Sequence, residues 1–261
     1  MKIYVINLDR SQDRLKSIAD QFHNLHLEFE RVPAIDGRAL PEAELLAHHV
    51  PTKNWPSPLS PAEIGCFLSH RKCFELIANG EDDYAAIFED DIRLSTGASA
   101  LLTSTDWIPA DSDIIKIDSH GHEVLISRPV KQEGSYQISR LRSRHLLAGG
   151  YIISRRSAQK LISLMQKATV PVDHFLFDPN DGPFNTLNIY QVLPAIARQS
   201  GAQSTIGQNR RPKNRPPFFQ LIYREIKRTG SRMRRNLKGS WANLTKTGRW
   251  GPIPVEHDIQ N

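Results

Sequence analysis

The 261-residue sequence has little cysteine: Cys66 and Cys73 are the only two. They stand seven residues apart in a stretch with helical spacing. Their Cα atoms would then lie roughly 10 Å apart, beyond disulfide reach. That argues against a disulfide-stapled secreted scaffold and points to a reducing compartment. Long hydrophobic runs are also missing. No window approaches roughly 18 uncharged apolar residues, so no spanning helix is expected. The N-terminal apolar run ends at once in Asn7-Leu8-Asp9-Arg10, too short for a signal-peptide core. A cytoplasmic protein is the expectation. Internal repeats are absent, and 39% apolar with 24% charged residues excludes collagen, coiled coil and wholesale disorder.

Positive charge is what residues 1–209 lack: they hold 21 Lys/Arg against 25 Asp/Glu, whereas residues 210–261 hold 13 against 3. The formal net charge of +6 therefore describes neither an acidic body nor its basic tail.

What is present is an alternation of strand and helix signals. Residues 2–8 (KIYVINL) form a β-rich run, and Ser11 is placed to cap a helix from about Gln12 to Phe22. A second strand is expected over 27–32, then a turn at Ala34-Ile35-Asp36-Gly37. Four prolines mark 51–61 as an ordered loop, with Pro61 in the first turn of a helix running to about Asn79-Gly80. Strands are expected at 84–88 (YAAIF) and 113–117 (DIIKI), a hairpin about Gly134, and a strand at 146–153 leading into a helix near Ser157 to Lys167. Such alternation predicts an α/β domain over 1–209.

The strand at 84–88 ends in Glu89-Asp90-Asp91. Alternation sends neighbouring side chains to opposite faces, so all three acids cannot enter the core. Open α/β sheets bind ligands beyond the carboxyl ends of their strands. Clustered carboxylates there repel unless a cation neutralises them, and Mg²⁺ or Mn²⁺ suits carboxylate oxygens shared with phosphate. With no His or Cys adjoining, zinc is not indicated. A solvated acidic turn is the alternative.

The order of motifs is more specific than any one of them. VINLDRSQDR at 5–14, AIDGR at 34–38, LSPAEIGCFLSHRKCF at 59–74, AIFEDDI at 86–92 and GGYIISRRSAQKLI at 149–162 follow one another. This series resembles glycosyltransferase family 25, which includes bacterial lipooligosaccharide galactosyltransferases. The resemblance implies a GT-A-type fold, with one Rossmann-like sheet binding a nucleotide sugar. It also implies an inverting transfer of a hexose, usually from UDP-galactose, onto a hydroxyl of a growing lipopolysaccharide-type, lipid-linked saccharide. By the family pattern Asp91 is the first metal ligand and Asp90 the second, with Glu89 beside them. Asn7 offers an amide to the nucleotide, and Arg10 and Arg14 can reach phosphate or ribose. An acceptor hydroxyl needs a general base. Asp118, Asp173, Asp178 and Asp181 are candidates; Asp173 matches an acidic position of the family pattern, and Asp118 comes second. His70 is expected on the acceptor side, or else as a buried structural histidine. Gly150 is expected to let the backbone approach the sugar, or to form a bulge, whereas Glu63 and Gly65 serve folding. A catalytically silent nucleotide-sugar-binding or scaffolding protein is the rival from another class.

In the tail, Phe218, Phe219, Ile222, Ile226, Met233 and Leu237 recur at roughly helical spacing among arginines and lysines. This is the profile of an in-plane helix on an anionic membrane, with Trp241 and Trp250 at headgroup level. Residues 210–261 are thus expected to be a basic, helical membrane-association segment. It would hold the protein peripherally on the inner face of a bacterial inner membrane. Packing on the body competes with this; nucleic acid is not an expected partner, since no binding module accompanies the tail.

Overall fold

Alternation in the first strand sets up a two-faced layer. In β1 (Lys2–Asn7), Ile3 and Val5 enter one apolar cluster and Tyr4 and Ile6 the other, all buried. The same split recurs in β3 (Tyr84–Glu89), with Ala86 and Phe88 on one side and Ala85 and Ile87 on the other. A sheet apolar on both faces must be covered on both. In the computed structural model, which describes residues 1–52, 55, 58–200 and 236–259, the covering elements are helices.

β1 runs parallel to β2 (Glu30–Pro33) and to β3. α1 (Gln12–Asn24) connects β1 to β2; α2 (Glu42–His48) and α3 (Pro61–Ala78) lie between β2 and β3. β3 is followed by β4 (Ile92–Leu94), α4 (Ala98–Leu102) and β5 (Ile114–Lys116). β6 (Glu123–Glu133) and β7 (Tyr136–Leu141) form the expected hairpin, turning at Gly134 with φ +55°. β8 (Gly150–Ser154), α5 (Arg155–Leu164), α6 (Val172–Phe177), β9 (Ile189–Leu193) and β10 (Ala197–Gln199) follow. A last helix, α7 (236–244), precedes β11 (Gly248–Pro252). The main sheet has nine strands in the order β11-β6-β7-β9-β5-β8-β3-β1-β2, with β10 and β4 paired separately. It is mixed: β8 lies antiparallel between β3 and β5, while β5 and β9 are parallel. The α/β class expected from the sequence is therefore present.

α3 is the central helix. Ser60 and Glu63 close a capping box: the Glu63 N–H donates to Ser60 Oγ and the Ser60 N–H to Glu63 Oε2 at 2.8 Å, with Pro61 following the cap. Such a box satisfies two orphan donors at the helix start. Ile64, Phe67, Phe74 and Ile77 are buried against the sheet. At α1 the expectation needs adjusting. Ser11 is the N-cap residue, but its side chain makes no capping bond; its carbonyl accepts from Asn7 Nδ2 instead.

The expected boundary between residues 209 and 210 fails for the end of the chain. β11 pairs antiparallel with β6, Ile253 is buried, and Val255 bridges Ala195. Tyr136 donates its hydroxyl to Glu256, and Asp258 accepts from Thr96. A bare edge on β6 would leave unpaired backbone groups, and residues 248–252 cover it. Trp250, expected at a headgroup level, lies in β11 with Gly239 packed on its ring. The tail pattern from 210 to 235 lies outside the described residues. No helix among those described is long and apolar enough to cross a membrane.

The loop at 34–37 is jammed against α3. A β-carbon on Gly65 would lie 2.6 Å from the Gly37 nitrogen and press on the Ile35 carbonyl. Gly65→Ala should therefore cost about 1–3 kcal/mol through overpacking. Urea unfolding followed by circular dichroism should show a lower midpoint at unchanged slope.

Candidate active site

β1 and β3 are neighbours, so their carboxyl ends place Asn7 beside the Glu89-Asp90-Asp91 run. The strand alternation then parts the three acids. Glu89 meets α3: its Oε1 lies 3.2 Å from His70 Nε2 and accepts from Cys66 Sγ at 3.7 Å. Asp90 meets β1 and α1, accepting from Asn7 Nδ2 at 2.6 Å and from Arg14 Nη1 at 3.2 Å. Asp91 turns toward β10, where Gln199 Nε2 donates at 3.0 Å and Arg14 Nη1 stands 3.9 Å away. The three acids expected to act as one set are thus held by three separate elements. Together with Arg10, Arg14, Arg38 and the 34–38 loop they line one cleft.

Their capacity for a ligand differs. Both Asp90 oxygens are engaged, whereas Asp91, only 8% exposed, has one oxygen, Oδ1, buried without a hydrogen-bond partner. Burial, and then the charge of Glu89, push the Asp91 carboxyl up to about 7. Burial is the largest single influence on Glu89 and opposes its ionisation, but His70, the Cys66 hydrogen bond and the Lys116 charge together outweigh it and hold the carboxyl below the ordinary value. Desolvation disfavours a charged carboxylate, and a hydrogen bond to it restores it. An orphaned, buried carboxylate oxygen in an acidic cleft fits a hard divalent cation, and Asp91 is the residue with the coordination to offer.

The other anticipated residues fall into place unevenly. Asn7 is buried and uses its whole amide internally, since Arg31 Nε donates to its Oδ1 at 3.0 Å. It therefore positions Asp90, and its amide is not presented to a nucleotide. Arg10 lines the cleft paired with Asp36, and Arg14 bridges Asp90 and Asp91. His70 is not on an acceptor face: it is fully buried, with Nδ1 2.8 Å from the Tyr151 hydroxyl. Gly150 packs on the Phe88 ring, where a β-carbon would come within 3.2 Å, so its small size serves β8–β3 packing. Asp118 is buried and ion-paired with Lys116, itself fully buried. Burial raises the Asp118 carboxyl, and Lys116 opposes the rise. Asp173, near the start of α6, accepts from the backbone N–H groups of Leu147 at 3.3 Å and His174 at 2.9 Å. It lies close enough to Cys66 to help raise that thiol, which burial pushes up first. Asp178 and Asp181 are both taken up by His174.

Several partners escaped notice in the sequence. Gln199 and Arg31 hold Asp91 and Asn7 from distant positions, and no local pattern marks either. Ser69 accepts from the Ile35 N–H at 2.8 Å, tying the 34–38 loop to α3. Lys116 carried a signal: a lysine inside the apolar DIIKI strand needs a buried partner, and Asp118, two residues on, shares its face.

Fold and site together define a mixed α/β protein with an acidic, arginine-fringed cleft beyond the carboxyl ends of its first parallel strands. The family model described as glycosyltransferase family 25 (LPS biosynthesis protein) matches residues 1–176, and the chain belongs to that family. LgtB of Neisseria gonorrhoeae, a lacto-N-neotetraose biosynthesis glycosyltransferase, is 28% identical over 213 residues, covering 76% of this chain and 74% of that protein. Human procollagen galactosyltransferase 2 is 29% identical over 194 residues, which is 67% of this chain but 29% of that one. Among solved structures, galactosyltransferase LgtC in complex with donor and acceptor sugar analogues overlays 78% of this chain and 88% of its own, at a TM-score of 0.41 and 12% identity. The protein is a glycosyltransferase.

The Asp91 shift predicts a pH effect on stability. Native Asp91 keeps its proton up to about pH 7, while the unfolded chain releases it near 3.9. Between those values the native state binds more protons, so stability falls as pH rises. In chelator, Asp91→Asn should melt higher than wild type at pH 8, and the gap should close toward pH 4.

Proposed function

We propose that the protein is an inverting, divalent-metal-assisted hexosyltransferase that moves galactose from UDP-galactose to a hydroxyl of a lipooligosaccharide-type acceptor. The observation that carries it is the unpartnered buried oxygen of Asp91 beside Arg14 in the cleft, in a chain of glycosyltransferase family 25. The acceptor class follows the named relatives that build lacto-N-neotetraose and lipooligosaccharide.

Mn²⁺ or Mg²⁺ held by Asp91, with Asp90 beside it, would neutralise charge developing on the leaving diphosphate. Arg10 and Arg14 serve phosphate or ribose from the cleft wall. Asn7 and Arg31 fix Asp90, which fixes Arg14, so the cationic fringe is set before substrate arrives. An inverting displacement needs the acceptor oxygen to attack opposite the diphosphate while a carboxylate takes its proton. Asp173 is the proposed base: its carboxylate accepts from the backbone N–H groups of Leu147 and His174, which fix its position. Asp118 is the poorer choice because Lys116 already occupies it.

The membrane partner is also proposed. α7 turns its small residues, Gly239 and Ala242, inward and leaves Leu237, Trp241 and Leu244 at 66%, 67% and 76% exposure. These sit at i, i+4 and i+7, one helix face. Lys238, Lys246 and Arg249 are exposed alongside. An apolar stripe with basic flanks suits the anionic inner face of a bacterial inner membrane.

Nucleoside diphosphate release with a panel of donors, Mn²⁺ and a lipooligosaccharide acceptor tests the chemistry. UDP-galactose should be turned over, and Asp91→Asn should lose about a thousandfold in kcat/KM. Asp173→Asn should lower kcat by about 10²–10⁴ with donor KM unchanged. No turnover of any donor would overturn the assignment. In flotation assays the full chain should rise with phosphatidylglycerol vesicles at low salt. Trp241→Ser combined with Leu244→Ser should weaken that; equal flotation with neutral vesicles would sink the membrane claim.

A further inference from the structure

One group in the cleft has a chemistry that the carboxylate site does not use. Cys66 Sγ, His70 Nε2 and Glu89 Oε1 all lie within 4.8 Å of one another. The Nε2 to Oε1 separation is 3.2 Å and the Sγ to Oε1 separation 3.7 Å. Tetrahedral zinc, with bonds near 2.0 Å to nitrogen and oxygen and near 2.3 Å to sulfur, requires about 3.3 Å and about 3.5 Å for those pairs. Two of the three ligand pairs therefore already stand close to coordination spacing, and the third lies within 4.8 Å.

We propose that Cys66, His70 and Glu89 form a three-ligand site for a borderline-soft divalent cation such as Zn²⁺, distinct from the hard-ion position at Asp91. α3 supplies two ligands one helical turn apart, at i and i+4, and the end of β3 supplies the third. Such a site keeps its fourth position open, and Cys66 and Glu89 both line the cleft, which gives the ion a path. His70 carries the outer support that ligating histidines use: its Nδ1 lies 2.8 Å from the Tyr151 hydroxyl. That hydroxyl serves as donor or acceptor, so His70 can hold its proton on Nδ1 while Nε2 binds metal. Binding releases one proton, from the Cys66 thiol, as the Sγ–metal bond forms; the imidazole stays neutral and Glu89 stays ionised. Glu89 then exchanges its bonds to Cys66 and His70 for one to the ion, and a positive charge enters beside Asp91.

Co²⁺ alone, titrated into the full chain in thiol-free buffer, reads the site without any sugar transfer. Its outcome is thus separate from that of the proposed reaction. Wild type should develop a thiolate-to-cobalt band in the near ultraviolet and intense four-coordinate visible bands, saturating at one equivalent and erased by Zn²⁺. Cys66→Ser, with its fold checked by circular dichroism, should lose the ultraviolet band and bind Co²⁺ at least about tenfold more weakly. Asp91→Asn and Cys73→Ser should keep both features. Absence of the thiolate band in wild type, its survival in Cys66→Ser, or its loss in Asp91→Asn or Cys73→Ser would overturn the assignment.

Discussion

Three consecutive carboxylates at the end of a buried strand repel one another, and the construction of the site answers that repulsion. Each acid is directed to a different support: Glu89 to α3, Asp90 to β1 and α1, Asp91 to β10. Two of the three have their charge matched by donors. The third, Asp91, keeps a buried oxygen without a partner, and its raised affinity for a proton expresses how strongly that oxygen calls for a positive charge. Stability and function conflict at this point, as is common where a ligand completes a site.

The supports are themselves tied together, which explains why widely separated motifs converge. Asn7 connects Asp90 to Arg31. Ser69 connects the 34–38 loop to α3, and glycines at 37 and 65 allow those two backbones to touch. α3 carries Cys66, Ser69 and His70 within about one helical turn, so one buried helix lines the cleft, anchors its loop and holds Glu89. Displacing α3 would disturb all three. Its capping box and its burial against the sheet therefore bear on the chemistry as much as on the fold.

Much of this arrangement was legible along the chain. β1, β3, α3, the hairpin at Gly134 and the acid-bearing strand end follow from alternation, a proline start and a glycine turn, because these signals act over a few residues. The roles of Asn7, His70 and Gly150 were not. An amide, an imidazole and a missing side chain each suit a ligand or a neighbour equally well, and only the neighbours decide: Arg31, Tyr151 and Phe88 took them. The C-terminal boundary was misplaced for a related reason. Charge composition divides the chain at 209, but an edge strand is recruited by unpaired backbone, and backbone demand leaves no trace in composition.

By itself the sequence determined the α/β class, the position of the acidic run beyond a buried strand, and the family, because each rests on local periodicity or on motif order. The tertiary structure alone decided which acid is left with an open oxygen, which residues hold the other two, and that residues 248–252 complete the sheet. Those outcomes depend on contacts between positions far apart along the chain, such as Asp91 with Gln199, 108 residues away, or Thr96 with Asp258, 162 residues away. Charge and hydrogen bonding act through space, over a few ångströms, and distance along the chain carries no record of them.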